Sequence, residues 1–198
     1  KPEVNPSMGF RSIRICLAKP EMFQTQLRAI YRASVYGPVS ILFPMVDSVE
    51  QLEQILSHVR RAQESLVRDA LPFDPKVGIG LVIETPASVI LSPELAKKVN
   101  FFHIDTNDLV QYTLAVDRQN PRVTRYYNTH HPAVMRMIQM VIAAAHNAGI
   151  QVTISGDMAD DESLLGWFIR SGVDGINVSA ASVLPLRRKV RNLDLNEG

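Results

Sequence analysis

The sequence predicts a one-domain α/β protein with a parallel sheet, and three observations indicate this fold class. Short apolar runs alternate along the chain with longer segments that have helical spacing. The apolar runs lack polar alternation, which is typical of parallel strands buried on both faces. The length of 198 residues, 46% of them hydrophobic, suits one domain with a core.

Five apolar runs are predicted to be strands, and one further segment is a candidate for a sixth. The five strands are residues 40–43, 77–83, 101–104, 151–154 and 175–178. Residues 9–15 are the candidate for a sixth strand end that runs into a helix.

Segments between the strands carry apolar residues at helical spacing. Ser48 followed by Gln51 is the pattern of a capping box at the start of one of these helices, and Gly149 follows the end of another. A short helix is predicted over residues 109–116 and a late one around residues 187–191, whose basic run is typical of a solvated helix face. The longer apolar faces contain Phe23, Leu27 and Ile30, then Val49 to Leu66, Val134 to Ala145, and Leu164, Leu165 and Phe168.

Composition excludes several classes of protein. Lysine plus arginine (21) nearly balances aspartate plus glutamate (20), so the net charge of +1 gives no argument for nucleic acid or membrane binding. The single Cys16 excludes an internal disulfide framework and fits a reducing cytoplasm. No apolar run approaches the roughly 18 residues of a membrane helix, and the first residues do not have the pattern of a signal peptide.

Carboxylates follow two consecutive predicted strands. Glu84 comes directly after residues 77–83, and Asp108 comes shortly after residues 101–104. In parallel α/β folds ligands bind at the carboxyl edge of the sheet. Mg²⁺ takes one or two protein carboxylates and keeps other positions for water and substrate phosphate. The pair is therefore a candidate Mg²⁺ site, with helix and turn capping as the alternative for each residue.

Three further residues are candidates for binding an anion. Asn107 lies in a triplet that could present backbone N–H groups at a helix start. Arg11 and Arg118 have the planar guanidinium that binds phosphate or carboxylate in a bidentate manner, although most arginines are solvated surface residues.

Ser155 ends the fourth predicted strand and is a candidate nucleophile only in a weak sense. The G-x-S-x-G turn of a serine hydrolase does not surround it, and the sequence assigns it no histidine partner. The five histidines also lack metal-ligand spacing. A small polar residue at a strand end is the simpler interpretation.

These segments together resemble a known family. They are residues 5–14 (NPSMGFRSIR), 41–45 (ILFPM), 83–87 (IETPA), 106–112 (TNDLVQY) and 115–118 (AVDR). The chain resembles, over essentially its whole length, the C-terminal phosphoenolpyruvate (PEP)-binding domain of enzyme I of the bacterial sugar phosphotransferase system. It is more distantly similar to pyruvate phosphate dikinase and PEP synthase. The motif over residues 106–118 is the most specific part.

The resemblance implies a (β/α)₈ barrel with its site at the C-terminal face of the strands. A closed barrel has eight strands and usually about 250 residues, and we count five or six strands here. We therefore expect residues 1–198 to form a partial PEP-binding barrel that lacks its first two or so βα units and belongs to a longer multidomain protein.

The same resemblance implies roles for the candidate residues. Glu84 and Asp108 would ligate Mg²⁺ bound to PEP, Asn107 would contact the phosphate through its backbone or amide, and Arg11 and Arg118 would hold phosphate and carboxylate. The phosphoryl group would pass to a histidine on a separate N-terminal domain and then to a phosphocarrier protein in sugar transport. The family also implies a homodimer in the cytoplasm.

The chain departs from the family at three positions. Ser155 stands where the family has a cysteine, the implied acid for the pyruvate enolate, and an alcohol is a far weaker acid than a thiol of pKa about 8.5. His103 and Asp105 stand where the family has serine and glycine, so Asp105 either adds a third charge near Glu84 and Asp108 or points away. We expect little or no turnover from this chain alone.

Two other functions stay open at this point. One is a non-catalytic module that senses PEP or a 2-oxo acid. The other is a Mg²⁺-dependent lyase or aldolase-type barrel that acts on a pyruvate enolate.

Overall fold

The computed structural model describes residues 3–194 of the chain. This part contains five strands, each followed by one or more of ten α-helices, and two of the helices precede the first strand. The strands are β1 (Ser40–Phe43), β2 (Gly78–Ile83), β3 (Phe101–Asp105), β4 (Gln151–Ser155) and β5 (Gly175–Ile176). The helices are α1 (Ile13–Ala18), α2 (Pro20–Ala33), α3 (Val49–Arg68), α4 (Pro86–Ile90), α5 (Ser92–Ala96), α6 (Thr106–Leu114), α7 (Pro132–Asn147), α8 (Asp157–Asp160), α9 (Leu165–Ser171) and α10 (Ala180–Asn192).

The five strands form one parallel sheet in the order β1-β2-β3-β4-β5. Each strand therefore pairs with the next one along the chain. A doubly wound sheet reverses its strand order at a switch point, whereas a (β/α)₈ barrel keeps this sequential order. The predicted fold class is confirmed: the chain contains five consecutive strands of a barrel-type α/β fold.

The two faces of the sheet differ, and the prediction of strands buried on both faces holds only for the second half of β2, where Leu81, Val82 and Ile83 are all buried. On the outer face, Phe102, Ile104, Val152 and Ile154 are fully buried in the core. On the inner face, the residues between them on β3 and β4 are only partly buried or exposed. The inner face is the one that points towards the axis of a barrel, and five strands do not close around that axis.

Most predicted elements are present, with two corrections. Residues 9–15 do not form a strand, because a 3₁₀ turn at Pro6–Met8 leads into α1 instead. The predicted short helix over residues 109–116 begins earlier and ends earlier, as α6 (Thr106–Leu114), because Asp105 caps its start and Ala115 is left-handed at φ 53°.

Helix ends follow their sequence signals in part. Ser48 Oγ accepts a hydrogen bond from the Gln51 N–H at 3.1 Å, as a capping box requires. The returning bond differs from that motif, since Gln51 Oε1 accepts from the N–H of Asp47 and not of Ser48. At the other signal, α7 ends at Asn147 and Gly149 has φ +72°, the left-handed conformation that glycine adopts readily.

Buried residues of α1 to α9 form one core with the outer face of the sheet, whereas α10 contributes no buried residue. Among residues 3–194, no helix is long and apolar enough to cross a lipid bilayer.

Candidate functional site

The candidate site lies where β2, β3 and β4 end. Asp105 pairs with Ser155 in the strand register, and Ile83 pairs with Ile104, so Glu84 follows in line beside Asp105. Neighbouring strands lie about 4.8 Å apart. The register therefore places Glu84, Asp105 and Ser155 in one row across the carboxyl edge of the sheet.

Glu84 is a buried carboxyl group with one strong backbone partner. Its side chain is almost fully buried, and Oε1 accepts a hydrogen bond from the Met45 N–H at 2.6 Å. Burial raises the pKa of Glu84 to about 7, with Asp108 and Asp105 adding repulsion and the Met45 bond opposing the shift. Glu84 does not cap the helix that follows, because Thr85 performs that role for α4.

Two arginines converge on Asp108, which is also nearly fully buried. Arg11 Nη1 lies 3.4 Å from Asp108 Oδ2, and Arg118 Nη2 lies 3.6 Å from Asp108 Oδ1. The arginine side chains are 38% and 39% exposed, so each guanidinium also faces solvent. The structure thus brings together four of the residues singled out in the sequence, Arg11, Glu84, Asp108 and Arg118.

Asp105 caps the start of α6. Its side chain accepts hydrogen bonds from the N–H groups of Asn107 at 2.9 Å and Asp108 at 3.4 Å. Those two N–H groups are therefore occupied and are not presented to an anion, contrary to expectation. The Asn107 side chain is held by its Oδ1, which accepts from the Asp157 N–H at 2.7 Å.

Gly156 lets the end of β4 lie against the start of α6. Its φ is +100°, and a Cβ atom there would lie 2.3 Å from Thr106 Oγ1 and 2.7 Å from Asn107 Oδ1. Thr106 Oγ1 also donates a hydrogen bond to the Ser155 carbonyl at 2.8 Å. A larger residue at Gly156 would therefore separate Ser155 from the first turn of α6, which carries Asn107 and Asp108.

Ser155 has a histidine partner that the sequence did not reveal. Its Oγ lies 2.8 Å from His103 Nε2, and His103 Nδ1 lies 2.8 Å from Thr153 Oγ1. All three side chains are on the inner face of β3 and β4. Burial lowers the pKa of His103, and the carboxylate of Asp105 opposes that shift.

The carboxylates fit a hard divalent cation. Glu84 and Asp108 are buried close together, and their mutual repulsion contributes to the raised pKa of Glu84. A cation bound to both would relieve this repulsion. In the part of the chain that the structure describes, no group of three or more histidine, cysteine, aspartate or glutamate side chains could hold a metal. A two-carboxylate site with open positions is the arrangement that Mg²⁺ adopts with phosphate substrates.

Comparison with known protein families identifies the family of this chain. The family model described as "PEP-utilising enzyme, PEP-binding domain" matches residues 1–195. The chain belongs to this family.

Two curated relatives of this PEP-binding domain carry the same name. The phosphoenolpyruvate-protein phosphotransferase of Staphylococcus epidermidis is 40% identical over 195 residues, which are 98% of this chain and 34% of the relative. The protein of the same name from Priestia megaterium is 42% identical over 191 residues, 96% of this chain and 33% of the relative. The PEP-binding domain described here therefore spans about a third of the length of these relatives.

Solved structures similar to the PEP-binding domain support its fold. A citrate lyase from Burkholderia xenovorans superposes with a TM-score of 0.63 at 18% identity, covering 82% of this chain and 52% of that one. A pyruvate kinase from Pyrobaculum aerophilum gives a TM-score of 0.57 at 16% identity, covering 88% of this chain and 40% of that one. At such identities the likeness concerns the fold and not the activity.

Two tyrosines contact the site of this PEP-binding domain, and the sequence did not identify either of them as a candidate site residue. Tyr112 Oη accepts from Arg11 Nη1 at 3.2 Å and donates to the Ser7 carbonyl at 2.5 Å, which fixes Arg11 beside Asp108. Tyr127 donates to the Asn107 carbonyl at 3.3 Å, and burial raises the pKa of Tyr127 to about 12. Tyr112 was visible only as part of a motif. Tyr127 lies in an irregular loop whose sequence carries no periodic signal.

Proposed function

We propose that this domain binds PEP together with Mg²⁺ at the carboxyl edge of its sheet and holds the phosphoryl group for transfer to a histidine. The observation that carries the proposal is the convergence of Arg11 and Arg118 on Asp108, next to the buried Glu84. This arrangement places two cations and two carboxylates around one point, as a ligand with several negative charges and a divalent cation requires.

Each residue has a separate part in the proposed site. Glu84 and Asp108 would hold Mg²⁺, which when bound neutralises charge on the phosphate and the developing enolate. Arg11 and Arg118 would bind the phosphate and carboxylate of PEP, because their guanidinium groups are partly exposed beside Asp108. The Asn107 side-chain amide would contact the phosphate, since its backbone N–H is bonded to Asp105.

Positioning and electrostatics supply most of the catalysis in phosphoryl transfer. Tyr112 keeps Arg11 in place, and the Thr106 and Gly156 contacts hold the end of β4 against α6. These contacts would fix the groups that bind the phosphate before the ligand arrives, so that little reorganisation is needed.

The acceptor of the phosphoryl group would be a histidine on a separate N-terminal domain, followed by a phosphocarrier protein in sugar transport. This step is supported by the name of the relatives, phosphoenolpyruvate-protein phosphotransferase, and by the coverage of about a third of their length. Within the whole protein we place this domain in a cytoplasmic homodimer. The likeness to a citrate lyase is at 18% identity and does not favour a lyase reaction.

Calorimetric titration of the domain with PEP, with and without Mg²⁺, tests the proposed binding. We expect PEP to bind in the presence of Mg²⁺ and more weakly after its removal with a chelator. A matched control is the charge-conserving variant Arg122→Lys, at an arginine in the irregular loop that has no assigned role at the site. Equal PEP affinity with and without Mg²⁺ would contradict the two-carboxylate site, and no binding in either case would contradict the proposed function.

A further inference from the structure

A chain of three hydrogen-bonding side chains runs along the inner face of the sheet, and the proposed function above does not use it. His103 of β3 lies between Ser155 and Thr153 of β4, with 2.8 Å from Nε2 to Ser155 Oγ and 2.8 Å from Nδ1 to Thr153 Oγ1. Both ring nitrogens are therefore engaged, which fixes the ring plane. The Ser155 end of the chain is at the carboxyl edge of the sheet, and the Thr153 end lies further inside.

Strand register explains why these three side chains meet. His103 pairs with Thr153, and Asp105 pairs with Ser155. His103 therefore lies on the neighbouring strand two residues before the position opposite Ser155. Side chains two residues apart on a strand point to the same face. The ring of His103 thus bridges Thr153 and Ser155, and its Nε2 faces the hydroxyl group of Ser155, which lies in the same row as Glu84.

A serine hydroxyl alone is a poor acid and a poor base, and a neighbouring imidazole can supply or accept the proton. An aliphatic alcohol near neutral pH neither gives up nor takes up a proton easily, whereas imidazole does both around its pKa, which burial lowers for His103 from the ordinary 6.5. A base within hydrogen-bond distance of a serine hydroxyl is the arrangement that makes serine reactive in proton transfer. The distance of 2.8 Å from Nε2 to Oγ satisfies that geometric condition.

We propose that Ser155 and His103 form a proton relay that protonates the pyruvate enolate left when PEP loses its phosphoryl group. Ser155 is the group that contacts the enolate carbon, and His103 acts through Ser155. Thr153 orients the His103 ring from the other side. This inference rests on the proposed binding of PEP at the neighbouring carboxylates.

The proton balance of the relay is simple. The Ser155 hydroxyl gives its proton to the methylene carbon of the enolate, and a C–H bond forms. At the same time protonated His103 gives its Nε2 proton to Ser155 Oγ and becomes neutral, so the serine is restored and no alkoxide accumulates. In the reverse direction Ser155 takes a proton from the methyl group of pyruvate and passes its own proton to neutral His103. Solvent then exchanges the proton on His103.

A purely structural role for His103 is the competing explanation, because the same two hydrogen bonds also join β3 to β4. The two roles differ in what happens when Ser155 is replaced by a residue that needs no relay. A thiol has a pKa of about 8.5 and can serve as an acid near neutrality without a partner. A relay histidine should then become dispensable, whereas a structural histidine should not.

The test measures exchange of pyruvate methyl protons with deuterated water by NMR, in the whole protein that carries this chain and in the presence of Mg²⁺. We expect His103→Asn to slow the exchange about 100-fold, the usual contribution of a general acid–base group. In the Ser155→Cys background the same His103→Asn change should cost at least about 10-fold less, because the two residues act as a unit. Calorimetric PEP affinity should stay within about threefold of wild type in each variant, since these residues do not bind the phosphate.

The matched control is His146→Asn, at a half-exposed histidine near the opposite end of β4 that is bonded to Asp174. It should leave the exchange rate unchanged. An equal loss on His103→Asn in the serine and cysteine backgrounds would overturn the relay and assign His103 a structural role. Unchanged exchange in His103→Asn would overturn it as well. Absence of PEP binding in the wild type would instead contradict the proposed function, so the two failures are distinguishable.

Discussion

On β3 and β4 the outer face of the sheet is buried and apolar, whereas the inner face towards the carboxyl ends of the same strands is polar and partly exposed. On β3, Phe102 and Ile104 are fully buried against the helices, while His103 and Asp105 alternate with them on the other side. Burial of apolar area stabilises the fold through the outer face. Hydrogen bonds and charges on the inner face determine what the sheet can bind. Alternating residues of one strand therefore have separate roles: those on the outer face stabilise the fold, and those on the inner face are available for binding and proton transfer.

The largest effect expected from this comparison concerns the outer face. Phe102→Ala should lower the free energy of unfolding by about 3–5 kcal/mol, because it removes a fully buried ring and leaves a cavity. Thr153→Ala, on the inner face, should cost only about 1 kcal/mol, the usual worth of one hydrogen bond. Urea denaturation of both variants measures the difference, and equal losses would contradict the separation of the two faces.

A charge effect of similar size is expected at the edge of the inner face. The pKa of Glu84 is raised to about 7 in the folded protein from an ordinary value near 4.5. Between these values the unfolded chain has lost the proton that the folded protein keeps, so stability falls as the pH rises and becomes constant above about pH 7. The loss should amount to about 3 kcal/mol in the metal-free protein.

Denaturation curves from pH 4 to 8, recorded for wild type and Glu84→Gln in the presence of a chelator, check this expectation. The amide cannot ionise, so the variant should lack this fall in stability. Adding Mg²⁺ should restore stability to the wild type at pH 8 and have a smaller effect on the variant. A wild-type stability that rises over this pH range and matches the variant would disprove the account of Glu84.

Binding at the same edge should depend on the two arginines more than folding does. Arg118→Gln should weaken PEP binding about 10- to 100-fold, because hydrogen bonds to a charged group contribute about 1.5–3 kcal/mol. The fold should change little, since the Arg118 side chain is 39% exposed. Calorimetry and denaturation of one preparation give both quantities. A variant that binds PEP as tightly as wild type would remove Arg118 from the site.

The smallest effect is expected at the start of α3. Ser48→Ala removes the hydroxyl that accepts the Gln51 N–H bond and should cost about 1 kcal/mol of stability with PEP affinity unchanged. Thermal denaturation together with calorimetry measures it. A change in PEP affinity would show that this cap also affects the site, through the loop in which the Met45 N–H binds Glu84.

The sequence predicted the outer face better than the inner face, for a physical reason. Strands and long helices depend on local periodicity, so β1 was predicted with its observed ends and α7 with its stop at Gly149. The side chains that meet at the edge come from separate strands and loops. Glu84 and Asp108 could be placed together because consecutive parallel strands end at one edge.

Other parts of the site depended on contacts that no local pattern encodes. The His103–Ser155 pair follows from strand register, which the sequence did not specify. The sequence left open whether Asp105 adds a third charge near Glu84 and Asp108 or points away; in the structure Asp105 caps α6 and its charge also repels Glu84. Tyr127 reaches Asn107 from an irregular loop. Burial of the strands on both faces was predicted from apolar runs. It holds for the second half of β2 and fails on β3 and β4, whose inner-face residues are only partly buried or exposed.

The dependence of PEP affinity on Mg²⁺, compared between wild type and Glu84→Gln, tests the central claim most directly. Calorimetric titrations over a range of Mg²⁺ concentrations give the coupling between the two ligands for each protein. We expect Mg²⁺ to tighten PEP binding in the wild type and most of this coupling to be lost in the variant. Equal coupling in both proteins would contradict the assignment of the Glu84–Asp108 pair as the cation site.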